Sequence, residues 1–138
     1  MKLVYSDPKT GRTGNSEIDA NKAAVLIGMK VGDTVEGSLF DLTGYKLKIT
    51  GGSDTSGFPL IPSITGSIKT KMFAVQAKSG EHKGQYERTT VRGNTIAADN
   101  MQVNTVIVEY GSRPIDEILP PKPPKAKGEA KAADSGKA

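Results

Sequence analysis

The sequence predicts a mainly β fold: a small barrel-like domain of antiparallel or mixed sheet, with one or two short helices and a disordered C-terminal tail. Three observations lead there. Short runs of apolar/polar alternation recur along the chain and are interrupted by Gly, Pro, Asn and Asp. Only the stretch 20–27 combines a helical period with a capping residue in front of it. From Pro120 the composition turns to Pro, Lys, Ala and Gly, which cannot bury enough apolar surface to order itself. With 138 residues and no internal repeat, one domain over 1–119 and a flexible basic tail over 120–138 are expected. The frequent turns favour a barrel over a sandwich, because closure removes exposed edges in a small domain.

In chain order, Lys2 to Asp7 alternates as a first strand with Leu3 and Tyr5 on one face, and Asp7-Pro8-Lys9-Thr10-Gly11 supplies turn chemistry for a hairpin. The return strand runs through Asn15 to Ile18. Asp19 is placed to cap a short helix whose apolar face would be Ala20, Ala23, Ala24 and Ile27, with Gly28 just past its end. Residues 29–40 read as a turn, a strand and a bulge. Tyr45, Leu47 and Ile49 against Lys46, Lys48 and Thr50 make a strand that is expected to stop at Gly51-Gly52. After a Pro- and Gly-broken stretch, 67–77 resumes as a long strand or a bent strand pair on which Lys69 and Lys71 share a face with Phe73 and Val75. A polar, glycine-bearing excursion over 79–87 follows. Gln102 to Tyr110 reads as a buried strand, and Pro114 as the N1 residue of a short closing turn to Leu119.

Composition narrows the function classes. The chain has no Cys and a single His, His82, so disulfides, thiolate zinc sites and a Cys nucleophile are excluded, while a carboxylate-bound magnesium is not. No cofactor is implied. No apolar run suits a signal peptide or a membrane span, which makes a cytoplasmic protein without membrane contact the default. Nothing in the sequence suggests self-association. The net charge of +4 is unevenly placed: residues 68–92 carry +4, the tail +3 and the remainder −3. Two basic segments on an acidic scaffold are what a polyanion partner requires.

The densest motif is Thr50-Gly51-Gly52-Ser53-Asp54-Thr55-Ser56-Gly57-Phe58-Pro59-Leu60. It lacks the Gly-Lys-Ser/Thr of a phosphate-binding P-loop. It also carries Ser56 between Asp54-Thr55 and Gly57, unlike an aspartic protease half, and a lone Asp54 would need a second acid to share its proton. A rigid loop braced by Asp54, with Gly51, Gly52, Gly57 and Pro59 setting its backbone, accounts for the residues.

This motif resembles the signature of the eukaryotic-type small-subunit ribosomal protein six family, a Gly-Gly-x-Asp-x-x-Gly-x-Pro loop usually closed by Met where Leu60 stands. Two more pieces agree in order: Val91-Arg92-Gly93-Asn94-Thr95-Ile96 and the strand Asn104-Thr105-Val106-Ile107-Val108. The resemblance covers residues 2 to about 110 and matches the short archaeal form. It implies a non-enzymatic constituent of the small ribosomal subunit, bound to ribosomal RNA beside other ribosomal proteins in the cytoplasm. The excursion before Val91 is shorter than usual in the family and holds Glu81 and Glu87, and the phosphorylated C-terminal helix of eukaryotic members is missing. The expected RNA contacts are therefore Lys46, Lys48, Gly51 and Gly52 at the signature loop and its approach. Lys69, Lys71, Lys78, His82, Lys83, Tyr86, Arg88 and Arg92 follow in the central basic segment, with Lys122 and Lys125 in the tail. The alternative is a free-standing OB-like module for single strands, against which stands the lack of adjacent exposed aromatics on any one strand.

Overall fold

The structure is a computed structural model that describes residues 1–75 and 79–119. A five-stranded mixed sheet has the order β2-β1-β7-β4-β3, built from β1 (Lys2–Ser6), β2 (Thr13–Glu17), β3 (Thr34–Glu36), β4 (Lys46–Asp54) and β7 (Asn100–Glu109). β5 (Lys69–Val75) and β6 (Tyr86–Arg92) form a separate antiparallel ribbon. The helices are short: α1 (Ala20–Leu26), a 3-10 turn at Gly37–Phe40 and α2 (Ile115–Ile118). A mainly β chain with mixed pairing is what the alternation of its sequence leads one to expect. No helix among the described residues is long and apolar enough to cross a membrane.

β7 is the axis of the sheet. It runs parallel to β1, with Leu3 opposite Val103 and Tyr5 opposite Thr105, and antiparallel to β4, with Leu47 opposite Ile107. Period-two alternation places Leu3, Leu47, Ile49, Val103 and Ile107 on one face, all buried. Leu26, Phe40, Leu60, Ile96 and Leu119 join them in a single core cluster. Fully burying one such side chain contributes about 1.5–3 kcal/mol, whereas an exposed ion pair such as Lys22–Asp41 contributes at most about 1 kcal/mol. The core therefore dominates.

The hairpin turn is tied to the far end of the chain. The buried Asp7 carboxylate accepts bonds from the Lys9 amide (3.0 Å), the Thr10 amide (3.2 Å) and hydroxyl (2.6 Å) and the Tyr110 hydroxyl (2.5 Å). Burial pushes the Asp7 carboxyl up, but these donors outweigh it and hold the pKa at about 2. The Tyr110 phenol, bonded to that carboxylate, is pushed up to about 12.

Several local expectations are corrected. The apolar face of α1 is Ala23 with Leu26, not Ala20, Ala23, Ala24 and Ile27. The helix ends at Leu26 because Ile27 is already extended, so the i+7 position is never reached. Asp19 occupies the N-cap position, yet its side chain makes no capping bond. Within 29–40 the strand Thr34–Glu36 is followed by the 3-10 turn rather than ending in a bulge, and Pro114 sits at the N-cap of α2 rather than at N1. β4 does not stop at the two glycines but continues to Asp54, absorbing the irregularity as register shifts at Ile49/Gly51 and Ser53/Asp54.

Candidate nucleic-acid interface

The signature loop is folded back on its own strand. A side chain at Gly52 would collide with the Gln102 carbonyl of β7, so glycine lets β4 approach closely there. Gly57 has φ +84°, a conformation that favours glycine. Between them Asp54 Oδ1 accepts the amides of Ser56 and Phe58, both at 2.9 Å, and the Leu60 amide returns to the Gly52 carbonyl at 3.0 Å. The Pro59 carbonyl accepts the Arg92 amide at 2.9 Å, which stitches the loop to β6. Gly51 lies within the β4 ladder, paired with Asn104.

Beneath the loop lies an ion cluster. Arg92 is 5% exposed and Asp54 2%. The Arg92 guanidinium bonds Asp99 Oδ2, lies 3.5 Å from Asp54 Oδ2 and donates to the Ser67 carbonyl at 2.7 Å. Lys69 Nζ stands 3.6 Å from Asp54 Oδ2, at the cluster's exposed side. Burial pushes the Asp54 carboxyl up. The amides of Phe58 and Ser56, the Lys69 charge and Arg92 more than offset it, so its pKa lies below the usual carboxylate range. Asp99 is likewise lowered, chiefly by its bond to Arg92, and Arg92 is raised, chiefly by Asp99.

Arg92 thus departs from its expected role as a surface contact: its charge points into the fold, between two carboxylates. Asp99, which sequence reasoning missed, completes the cluster. No spacing rule links Asp54, Arg92 and Asp99, since they meet only when β6 folds over the end of β4.

The exposed cations among the expected RNA contacts form two groups. Lys46 and Lys48 project from the outer face of β4, where Lys46 Nζ is paired with Glu109 at 2.8 Å; that bond, first, raises its pKa. The second group is on the ribbon. Register places Lys69 opposite Arg92, Lys71 opposite Thr90, Phe73 opposite Arg88 and Val75 opposite Tyr86, and opposed residues share a face. Lys69, Lys71, Phe73, Tyr86 and Arg88 are all exposed there. His82 and Lys83 lie in the turn that precedes β6, His82 Nδ1 being 3.2 Å from Gln85 Oε1. Lys78, Lys122 and Lys125 lie outside the described residues, as does the predicted tail. Among the described residues no three His, Cys, Asp or Glu side chains are grouped to hold a metal.

The braced loop, the buried Arg92 and the central β7 strand involve the three sequence pieces that carry the family resemblance. The model of the family described as ribosomal protein S6e matches residues 1–120. The chain belongs to the S6e family. Its relatives agree over most of their length. It is 46% identical to the small ribosomal subunit protein eS6 of Methanocaldococcus jannaschii over 121 residues, covering 86% of this chain and 89% of the relative. The eS6 proteins of Nanoarchaeum equitans (44%; 86% of this chain, 88% of the relative) and Picrophilus torridus (39%; 92% and 97%) are similar. This S6e chain therefore aligns with relatives that it nearly spans.

Proposed function

We propose that this S6e protein is a structural, non-catalytic constituent of the small ribosomal subunit. It acts in translation in the cytoplasm and holds ribosomal RNA alongside other ribosomal proteins. The observation that carries the RNA reading is the ribbon face, where Lys69, Lys71 and Arg88 project together from strands stiffened by pairing. Family membership and the names of the relatives support the ribosomal setting. Phosphate contacts from these cations, with Lys48 and Lys83 in a second line, supply the affinity. Arg92 holds the loop instead of the RNA.

The reading is tested by sedimenting cell lysate through sucrose at low and high salt. Co-sedimentation with small subunits is expected, released only at high salt. A protein found only at the top of the low-salt gradient would refute it and favour a free-standing binding module. With purified protein and small-subunit RNA, each neutralised phosphate contributes about −0.7 to −0.9 to the slope of log affinity against log salt. Lys71→Ala with Arg88→Ala is expected to flatten that slope by about 1.5. An unchanged slope removes these two residues from the interface.

A further inference from the structure

Two large rings stand in water on the ribbon: Phe73 is 62% exposed and Tyr86 69%. Their register, Phe73 opposite Arg88 and Val75 opposite Tyr86, makes the two rings diagonal neighbours on adjacent strands, about 7–8 Å apart at the backbone. Arg88 is directly across from Phe73 and two residues beyond Tyr86 on β6, its guanidinium carbon 5.4 Å from the Phe73 ring centre. Lys71 precedes Phe73 on the same face at a two-residue step, about 6.6 Å away. Single exposed apolar side chains are ordinary. Two aromatic rings flanking a guanidinium, on a face that carries further cations, form a surface of particular chemistry.

Resting on the RNA reading above, we infer that this face receives an unpaired RNA base, stacked on the Phe73 and Tyr86 rings, with the neighbouring phosphates on Arg88 and Lys71. Duplex RNA gives no use for the rings. Its bases are stacked on one another, its major groove is too narrow for side chains, and only phosphates and 2′-hydroxyls are offered. An unpaired base offers a free π-face that an aromatic side chain or a guanidinium plane accepts, whatever the base. Charge selects the polyanion over a protein surface, because the exposed ionic groups among these paired positions, Lys69, Lys71 and Arg88, are all cations. Glu87 belongs to the opposite face, across from Ala74.

The test uses the purified full chain and two RNA hairpins, one fully paired and one identical but for a single unpaired 2-aminopurine. The unmodified protein is expected to bind the bulged hairpin more tightly and to quench the 2-aminopurine emission. Phe73→Leu and Tyr86→Leu keep exposed apolar side chains but remove the rings. Each is expected to weaken bulge binding roughly five- to hundred-fold while leaving the paired hairpin's affinity, its salt slope and the thermal melt unchanged. Equal binding of the two hairpins by the unmodified protein overturns the stacking site and leaves phosphate binding standing. So does an equal loss for both RNAs in the variants. Absence of binding to either RNA overturns the RNA reading itself, and the stacking site with it. Unaltered RNA binding by Phe73→Leu ribosomal particles that have lost a protein neighbour assigns the rings to a protein contact and also overturns the proposal.

Discussion

Arg92→Ala is expected to lower the unfolding free energy by about 3–5 kcal/mol, the cost of breaking a buried ion pair from one side. The substitution removes the only cation buried beside Asp54 among the described residues and frees the Ser67 carbonyl, while Lys69 remains at the cluster's exposed side. For a domain whose whole stability is about 5–15 kcal/mol, that is a large share. The denaturation midpoint in urea should fall with the m-value unchanged. Arg92→Lys should restore little of it, because one ammonium cannot reproduce a planar fork shared between Asp99 and the Ser67 carbonyl. Asp99→Asn should cost less than Arg92→Ala, since the Asp99 side chain is half exposed and water replaces part of the bond. If Arg92→Ala unfolds at the same urea concentration as the unmodified protein, the cluster does not hold the signature loop.

Stability is also expected to fall steeply below pH 4. Asp7, Asp54 and Asp99 all have folded pKa values below their ordinary 3.8. As pH falls, the unfolded chain therefore takes up protons at these positions first. Their contribution is complete above about pH 4–5 and is lost as pH falls through the folded values, about 2 for Asp7. Tyr110→Phe removes a donor to Asp7 and should move the acid midpoint upward. The sign reverses at the alkaline end: the Tyr110 pKa is raised from 10.0 to about 12, so its contribution is intact below pH 10 and lost as pH rises towards 12. Circular dichroism at equilibrium between pH 1.5 and 7 reads the acid limb, and phenolate absorbance reads the alkaline one. An acid profile unchanged in Tyr110→Phe would remove this lock from the account of stability.

Where the sequence was legible, the signal was local. Leu3 and Tyr5 alternate with Lys2 and Val4, and the turn after Asp7 closes within a few residues, so the hairpin can be read from neighbours alone. The course of β4 past Ile49 was not legible. Glycines that normally end a strand here accommodate bulges and the close approach of β7, a partner about fifty residues on. The burial of Arg92 is not legible for a related reason. A cation on an alternating strand reads as surface until Asp54 and Asp99 are brought to it, and neither lies on β6. The aromatic pair was invisible because each ring is alone on its own strand. Only the register of β5 against β6 puts Phe73 and Tyr86 on one face. The helix face failed on length, since a seven-residue helix has too few turns for its period to show.

The place of β7 has a consequence for biosynthesis. β1 pairs in parallel with it, Lys2 opposite Gln102, and β4 pairs with it on the other side, so the middle strand of the sheet is made last of the five. Until Asn100–Glu109 has left the ribosome that makes it, β1 has only its hairpin partner, and the inner edges of β1 and β4 are both open. Loop closure over a hundred residues and a parallel ladder put this domain among slow-folding topologies. A nascent chain stalled before Asn100 presents two apolar strands, each with one open edge, the surface on which aggregation begins. Each new copy therefore remains vulnerable for as long as β7 takes to insert between β1 and β4 once it has emerged.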